Sequence, residues 1–475
     1  MDPSLVLQFR SDVSLARVAD EQVRLEFAWG NAALGEITPG LLAVLERLSC
    51  DGATEDDLSE LVLETDGFSA LARFYYYLER FGKLGILRYT LIGDGGPLAT
   101  VVPMCGGFHL PTRSDGPDTR FRLSRFAYCR REGDGLALET PCSPARTILH
   151  GRSGVALLAE LSSPRSCHDL CALIGGLGED TVRTFLTILA SLGVVGEVDS
   201  HGNLVEDTDS VMVQWEFHDL LFHSRSRTGR HDYAVGGTYR FLGKVAPEPA
   251  LKPTTSAPVV LLRKPDLLQV ERKDPSFTSV LENRKSLRAY GTQPITAARL
   301  GEFLYRVARV RRLTEPDPTV GLHYQSSNRP YPSGGATYDL ELYVTVNNCA
   351  DLPRGLYHYD ALDHQLEKLA AHGPRVEALL RDAQLAVRLA DEPQILITLT
   401  SRFQRVSWKY SGIAYALTLK HVGVLFQTMY LVATAMELAP CAVGTGNSDL
   451  FAEAAGTNYF AETSVGEFLL GSAPA

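Results

Sequence analysis

Two stretches of the first two hundred residues run through the same order of elements, and no other feature constrains the fold of this chain as tightly. In the first, Leu41-Leu42-Ala43-Val44-Leu45 starts an apolar helix, and Thr54 to Leu63 (TEDDLSELVL) follows with capping-box logic. Ala70 to Phe81 (ALARFYYYLERF) then has helical spacing and leads into Leu84-Gly85-Ile86-Leu87. The second copy runs Val155-Ala156-Leu157-Leu158, Ser166 to Leu173 (SCHDLCAL), Glu179 to Leu192 (EDTVRTFLTILASL) and Gly193-Val194-Val195. A strand-like stretch precedes each copy, Gln22 to Trp29 in the first and Thr119 to Cys129 in the second.

Helix, helix, helix, strand is the winged-helix order, which implies two modules at 1–100 and 101–210. A winged helix that reads DNA needs a basic third helix. Here Arg73 and Arg80 are offset by Glu79 in one copy, and Arg183 stands beside Glu179 and Asp180 in the other. The whole chain has 46 Lys and Arg against 56 Asp and Glu, a net charge of −10, so no nucleic-acid partner is expected. Two uses remain open for the repeats: a structural scaffold, or capture of an extended peptide as an added strand between sheet and third helix.

The first fifteen residues, MDPSLVLQFRSDVSL, carry charges inside their apolar stretch and lack the pattern of a secretory signal, so a cytoplasmic location is expected. The most membrane-like window, Gly423 to Pro440, is interrupted by Gln427, Thr428, Thr434 and Glu437. It falls short of the roughly 20 apolar residues a span needs and reads as a buried helix, with no membrane partner. Eight cysteines in 475 residues are too sparse for a disulfide framework. Cys167, His168 and Cys171 have no second pair to complete a tetrahedral set, so no metal is expected.

A polar stretch rich in His and Arg, Trp215 to Phe241, includes His218, His223 and His231 and precedes a Pro-containing linker, Ala246 to Pro258. Residues 211–270 thus read as a connecting segment, packed against the next domain near an anionic cofactor or left as a solvated surface. A C-terminal domain at 271–475 follows.

That domain holds four groups of residues with chemical meaning. In Arg284-Lys285-Ser286-Leu287-Arg288 the spacing puts Arg284, Ser286 and Arg288 on one face of an extended segment, two guanidinium forks and a hydroxyl suited to a phosphate. In Arg329-Pro330-Tyr331-Pro332-Ser333-Gly334-Gly335 the glycines let the backbone approach a flat ligand, with a hairpin turn as the plain alternative. Gly444 and Gly446 flank Thr445 in a loop that lacks the third glycine of a dinucleotide fingerprint. Finally, Lys409-Tyr410 places an ammonium beside a phenol at the entrance of a long apolar helix, which favours the phenolate as a general base.

In this order, from Asp274 to Gly471, these groups resemble the flavin-dependent nitroreductase superfamily, and more narrowly its azoline dehydrogenases of the SagB/ThcOx type. The resemblance implies an α+β chain: a nitroreductase-like FMN domain, with an antiparallel-rich sheet flanked by helices, preceded by two winged-helix-like peptide-recognition repeats. It implies FMN as cofactor, with Arg284, Ser286 and Arg288 on its phosphate. Pro332, Ser333, Gly334 and Gly335 would lie against its ring system, and Gly444 and Gly446 would close the site. It implies Lys409 and Tyr410 as the catalytic pair and a homodimer with the cofactor at the subunit interface. One departure is Thr337-Tyr338-Asp339, where the family pattern is more apolar.

The implied activity is oxidation of thiazoline or oxazoline rings of a ribosomally made peptide to thiazole or oxazole, with a cyclodehydratase as partner. Tyr410, assisted by Lys409, would remove the acidified Cα proton while hydride leaves Cβ. The alternatives are an NAD(P)H-dependent nitro or quinone reductase, an oxidase of a carrier-bound intermediate, and a winged-helix sensor carrying a flavin domain.

Overall fold

Side-chain caps at Thr38, Thr54 and Ser166 begin three of the helices of the N-terminal part. The computed structural model describes residues 4–19, 22–108, 110, 116, 118–133, 135–234 and 236–474, and it divides into two compact units, Met1–Val235 and Gly236–Ala475. The first copy of the repeat runs β1 (Ser4–Phe9), a meander of β2 (Ser14–Ala19), β3 (Gln22–Phe27) and β4 (Gly30–Leu34), then α1 (Pro39–Ser49), β5 (Ala53–Thr54), α2 (Glu55–Asp66), α3 (Leu71–Leu84) and β6 (Leu87–Gly93). After β7 (Gly96–Pro103) the second copy repeats the order: β8 (Arg120–Leu123), a meander of β9 (Tyr128–Glu132), β10 (Gly135–Glu139) and β11 (Ala145–Leu149), then α4 (Gly151–Glu160), β12 (Arg165–Ser166), α5 (Cys167–Ile174), α6 (Glu179–Ser191) and β13 (Val195–Glu197). The second helix of each copy starts at a full capping box, Thr54 with Asp57 and Ser166 with Asp169. Helix α3 stops at Gly85, whose φ of 68° supplies the left-handed end.

Pairing confirms the duplication, since β1 pairs with β5 and β6 just as β8 pairs with β12 and β13. The copies differ at their meanders. Strand β4 pairs with β3, and no further strand adds to it among the described residues, whereas β11 is also paired along its outer edge with β7. That extra pairing fuses the copies into one seven-stranded sheet, β5-β1-β6-β7-β11-β10-β9, over a single apolar core that runs from Leu7 to Val195. The two copies therefore do not bury separate cores.

The His- and Arg-rich stretch is spent largely inside this first unit. On α7 (Phe217–Arg225), Arg225 reaches Glu139 at 2.8 Å, and Arg230 donates to the Pro141 carbonyl at 2.8 Å. Burial acts against the Glu139 carboxylate, yet Tyr128, Arg225 and Arg130 hold it below its usual range. These arginines answer a buried carboxylate and a carbonyl of the second copy, contrary to the expected position near an anionic cofactor. Val235 of that stretch and the first three residues, where the N-terminal reading begins, lie outside the described residues.

The second unit begins at Gly236, so residues 236–270 of the expected connecting segment belong to it. Its elements are β14 (Val259–Leu261), α8 (Phe277–Asn283), α9 (Ala297–Ala308), β15 (Leu340–Val346), β16 (Gly355–Asp360), β17 (Gln365–Ala371), α10 (Pro374–Val387), β18 (Ile395–Ser401), α11 (Gln404–Ser407), α12 (Ala414–Ala435), β19 (Leu438–Val443), α13 (Ser448–Ala455) and β20 (Thr463–Ser472). They build a sheet in the order β14-β17-β16-β15-β18-β20-β19, antiparallel at every step. Every residue of β15 and of β18 is buried, because the sheet is covered on both faces. Leu340, Leu342, Val344 and Val346 pack with α9 and α12, while Tyr343 turns to the side of α10 and α13.

Helix α12 runs from Ala414 to Ala435 and is long and apolar enough to cross a membrane by length and composition. Its Val422, Leu425, Met429 and Ala433 are buried in the core on the sheet. The expected extension to Pro440 fails, because Leu438–Val443 is the edge strand β19, where a proline's missing N–H costs no ladder bond.

Candidate active site

Gly334 and Gly335 sit on a tight turn that one buried dyad holds from below. The turn needs left-handed backbone at Gly335 (φ 63°) and again at Ala336 (φ 54°), so glycine relieves one of two adjoining strained positions. The Gly334 N–H donates to Nε2 of His421 at 2.8 Å, which leaves Nδ1 of that ring to carry the proton. Nδ1 donates to Asp339 at 2.6 Å, and Asp339 also accepts from Ser401 Oγ at 2.7 Å and Thr418 Oγ1 at 2.9 Å. Burial raises the Asp339 pKa, but the His421, Ser401 and Thr418 donors outweigh it and keep the carboxyl below its usual range. The polar Thr337-Tyr338-Asp339 departure thus has a purpose in this chain: its aspartate anchors the ring that anchors the turn.

Lys409 and Tyr410 meet this turn from above. They follow α11, where both of their backbone N–H groups turn back to the Val406 carbonyl. A Cβ built on Gly335 would stand 2.5 Å from the Tyr410 hydroxyl and 2.6 Å from the Lys409 ammonium. Gly335, Lys409 and Tyr410 therefore come together in the fold. The Lys409 ammonium, however, makes its hydrogen bond to Tyr324, at 2.8 Å, and Tyr324 in turn donates to the Gly335 carbonyl. Pro332 is exposed at the start of the turn, and Ser333 Oγ accepts the Tyr338 N–H at 3.0 Å.

The N-terminal strap of this unit closes the same place. Gly237 bridges to Tyr410, and the N–H groups of Thr238 and Tyr239 both donate to the Lys409 carbonyl, at 2.8 and 3.1 Å. Trp408 Nε1 donates to the Val245 carbonyl at 2.7 Å, and Arg402 holds Glu248 at 3.0 Å. Lys252 further along bonds Tyr343 and pairs with Glu462. Sequence reasoning missed Tyr324, Tyr239, Asp339 and His421. A lone histidine in an apolar helix and a carboxylate where an apolar residue was expected were the available signals for two of them; nothing local marked Tyr324.

Arg284, Ser286 and Arg288 lie on an irregular segment after α8, not on a strand. Ser286 Oγ is 2.7 Å from the Tyr430 hydroxyl, and the Arg284 guanidinium stands 5.4 Å from that ring's centroid. Arg288 is exposed and near the Cys441 thiol, whose burial-driven upward shift it opposes. Neither arginine has a carboxylate partner among the described residues. Two uncompensated guanidiniums beside a hydroxyl fit a phosphate, so this donor set suits the anionic end of a flavin nucleotide. Gly444 is in open space, whereas Gly446 packs on the Glu467 carboxylate, where a Cβ would come within 2.2 Å.

The turn and the arginine segment are held by opposite sides of one helix. His421 and Tyr430 are nine residues apart on α12, which at 3.6 residues per turn is about 180° around the axis and about 13 Å along it.

Three family models match this chain in tandem. Residues 1–111 match the ThcOx helix turn helix domain, residues 121–232 the cyanobactin oxidase ThcOx, and residues 281–471 the nitroreductase family. The chain belongs to the ThcOx-type oxidases of the nitroreductase family. As a ThcOx-type chain it is an oxidoreductase with a nitroreductase fold in its second unit, and nitroreductase family members are flavoproteins. It is 26% identical over 184 residues to a Methanocaldococcus jannaschii protein named as a nitroreductase, covering 38% of this chain and 83% of that one. It is 29% identical over 128 residues to the microcin B17-processing protein McbC of Escherichia coli, 26% of this chain and 44% of the length of that relative. Among solved structures, the E. coli microcin synthetase McbBCD complex with truncated pro-MccB17 bound is similar at 20% identity and a TM-score of 0.33, over 53% of this chain and 90% of the matched one. A Ralstonia eutropha protein described as a nitroreductase is similar at 21% identity and a TM-score of 0.36, over 48% and 95% of the two chains.

Proposed function

We propose that this chain oxidises thiazoline or oxazoline rings in a ribosomally made peptide to thiazole or oxazole, with FMN as its cofactor. The observation that carries the proposal is the convergence of Tyr410 and Lys409 on Gly335 in a chain matched by ThcOx models over 1–111 and 121–232 and by the nitroreductase model over 281–471. The ring's Cα–H is acidic because the adjacent C=N and carbonyl groups spread the carbanion. Loss of that proton and of a hydride from Cβ makes the Cα–Cβ double bond, a two-electron oxidation completed by aromaticity. A flavin bound against the Gly334-Gly335 turn supplies the hydride acceptor. Tyr410 takes the proton at its phenolic oxygen, and the Lys409 ammonium stabilises negative charge as it develops. The His421–Asp339 dyad holds the turn still while this happens, and Arg284, Ser286 and Arg288 hold the phosphate.

A homodimer completes the site on this reading. Helix α12 leaves Tyr415 and Leu419 exposed at 44 and 40% on one face, with exposed Gly423 one turn further on. A second copy on that face covers an apolar stripe. It also offers a route for the arginine set of one copy to reach the turn of the other, since the two stand on opposite sides of α12.

The repeats take the peptide, and the first is the better seat. In the second copy the outer edge of β11 is filled by the chain's own β7, while the equivalent edge of β4 carries no strand among the described residues, only the Arg80 and Tyr77 side chains of α3 on the Ala33 carbonyl and on the Gly35 carbonyl just past the strand. A cyclodehydratase that makes the azoline is the natural partner, and the cytoplasm the natural location.

The deciding experiment is the absorbance spectrum of the purified protein, followed by anaerobic mixing with an azoline-containing peptide and separately with NADPH. Bleaching of the flavin by the peptide alone is expected. Bleaching by NADPH alone points to a nitro or quinone reductase, and a colourless protein overturns the reading.

A further inference from the structure

The Lys409 ammonium has three tyrosine rings around it and no carboxylate among the described residues. Its nitrogen lies 5.1 Å from the ring centroid of Tyr324, 5.3 Å from that of Tyr410 and 5.7 Å from that of Tyr239, all within reach of a cation–π attraction. The rings come from three separate stretches of chain. Tyr410 is its neighbour in sequence, Tyr324 comes from the loop before the glycine turn, and Tyr239 comes from the strap.

Tyr324 and Tyr239 are themselves fixed. Tyr324 is 4% exposed, and its hydroxyl joins the ammonium to the Gly335 carbonyl, so cation and turn move as one body. Tyr239 is held by its N–H on the Lys409 carbonyl and by edge contacts with Trp408 at 5.9 Å and His323 at 5.1 Å, and it adopts a left-handed φ of 47° that a non-glycine residue keeps only when its surroundings demand it.

We propose that Tyr324 and Tyr239 are positioning residues for Lys409, seating its ammonium as a fixed cation over the Gly335 turn so that Tyr410 alone exchanges the substrate proton. This rests on the azoline-oxidation reading for the identity of the proton donor, while the seat itself does not. The titratable groups facing the ammonium are Tyr239, Tyr324 and Tyr410, with His323 behind Tyr239 and Arg405 behind Tyr324. Burial works against the charge on Lys409, but the Tyr324 hydrogen bond and the three phenols more than restore it, which moves its pKa above the ordinary lysine range. Tyr324 rises as well, from burial, with Lys409 opposing. A cation of this kind acts on charge developing at the substrate and has no need to give up a proton.

Two variants test this in the flavin-loaded protein. Tyr324→Phe keeps the ring and removes the hydroxyl; Tyr239→Leu removes a ring from the half-exposed strap and serves if the first variant folds poorly. The first readout is acetylation of Lys409 by acetic anhydride against pH, followed by mass spectrometry. Both variants are expected to label at lower pH than the wild type, with at least about threefold more Lys409 modified at pH 9. The second readout is turnover of a synthetic N-acyl thiazoline-4-carboxamide: in Tyr324→Phe, kcat falls about tenfold or more with KM nearly unchanged, as loss of a hydrogen bond to a charged group implies. The alkaline limb of kcat/KM moves to lower pH with it. Wild-type labelling profiles in both variants overturn the seat. Shifted labelling in an enzyme whose wild type leaves the thiazoline untouched keeps the seat and overturns the azoline reading instead.

Discussion

His421 carries its proton toward Asp339, 2.6 Å away, and so presents a bare Nε2 to the Gly334 N–H at 2.8 Å. Neither residue belongs to the motifs that mark the site, yet together they determine where the glycine turn sits beneath Lys409 and Tyr410. A buried carboxylate with three side-chain donors is a costly feature to keep, and its retention here is explained by the backbone N–H at the far end of the chain of bonds.

His421→Phe leaves the Gly334 N–H without its acceptor and Asp339 without its strongest donor. A loss of about 2 to 4 kcal/mol in unfolding free energy is expected from the two orphaned groups, together with a lower flavin content per chain. His421→Gln, which can still accept from Gly334, should recover part of both. Thermal unfolding with a flavin-to-protein absorbance ratio measures it, and a Phe variant with wild-type values for both refutes the dyad's role.

Gly335→Ala puts a methyl against the Tyr410 hydroxyl and the Lys409 ammonium. The left-handed φ costs about 1 kcal/mol by itself, and displacement of Tyr410 or Lys409 by about 1 Å is enough to lower turnover roughly 100-fold. Stability should therefore change little while activity nearly disappears. Steady-state kinetics beside a urea titration separates the two effects; equal losses in both would contradict a positional role.

Arg284→Ala should release the cofactor without unfolding the chain. A charge-assisted bond to a phosphate contributes about 1.5 to 3 kcal/mol, so FMN affinity of the apoprotein is expected to fall about 10- to 150-fold. The loss should shrink in high salt, because Arg284 is only half-buried. Fluorescence quenching of FMN by the apoprotein reads it directly, and an unchanged Kd would remove Arg284 from the phosphate site.

Glu467 gives a pH dependence whose sign is set by burial. Desolvation raises its pKa to about 7, with Ser464 opposing, while the unfolded value stays near 4.5. The folded state thus holds the proton more tightly, and stability is full below about pH 4.5 and declines as pH rises toward about 7, by up to about 3 kcal/mol. Glu467→Gln should flatten this decline and be more stable than the wild type at pH 8. Unfolding midpoints at pH 5 and pH 8 test it, and a wild-type slope that survives in the Gln variant would assign the titration to another group.

The local chemistry of this chain is legible in its amino-acid sequence. Capping boxes at Thr54 and Ser166, the helical spacing of Ala70 to Phe81 and Glu179 to Leu192, and the glycines before LELYVTV are short-range signals, in which each residue acts on neighbours within a turn or two. The Lys409-Tyr410 pair and the Arg284 segment are equally local, and the family resemblance rests on them. Tertiary structure decided the relations that span long separations in sequence: β7 filling the edge of β11 and merging the copies, the strap from Gly236 lying on Lys409, Tyr324 taking the ammonium, and His421 reaching back 87 residues to Gly334. A sequence shows which residues are able to cap, pair or carry charge. Which of them meet is settled only when burial removes water and leaves each polar group to be answered by whatever the fold brings within about 3 Å.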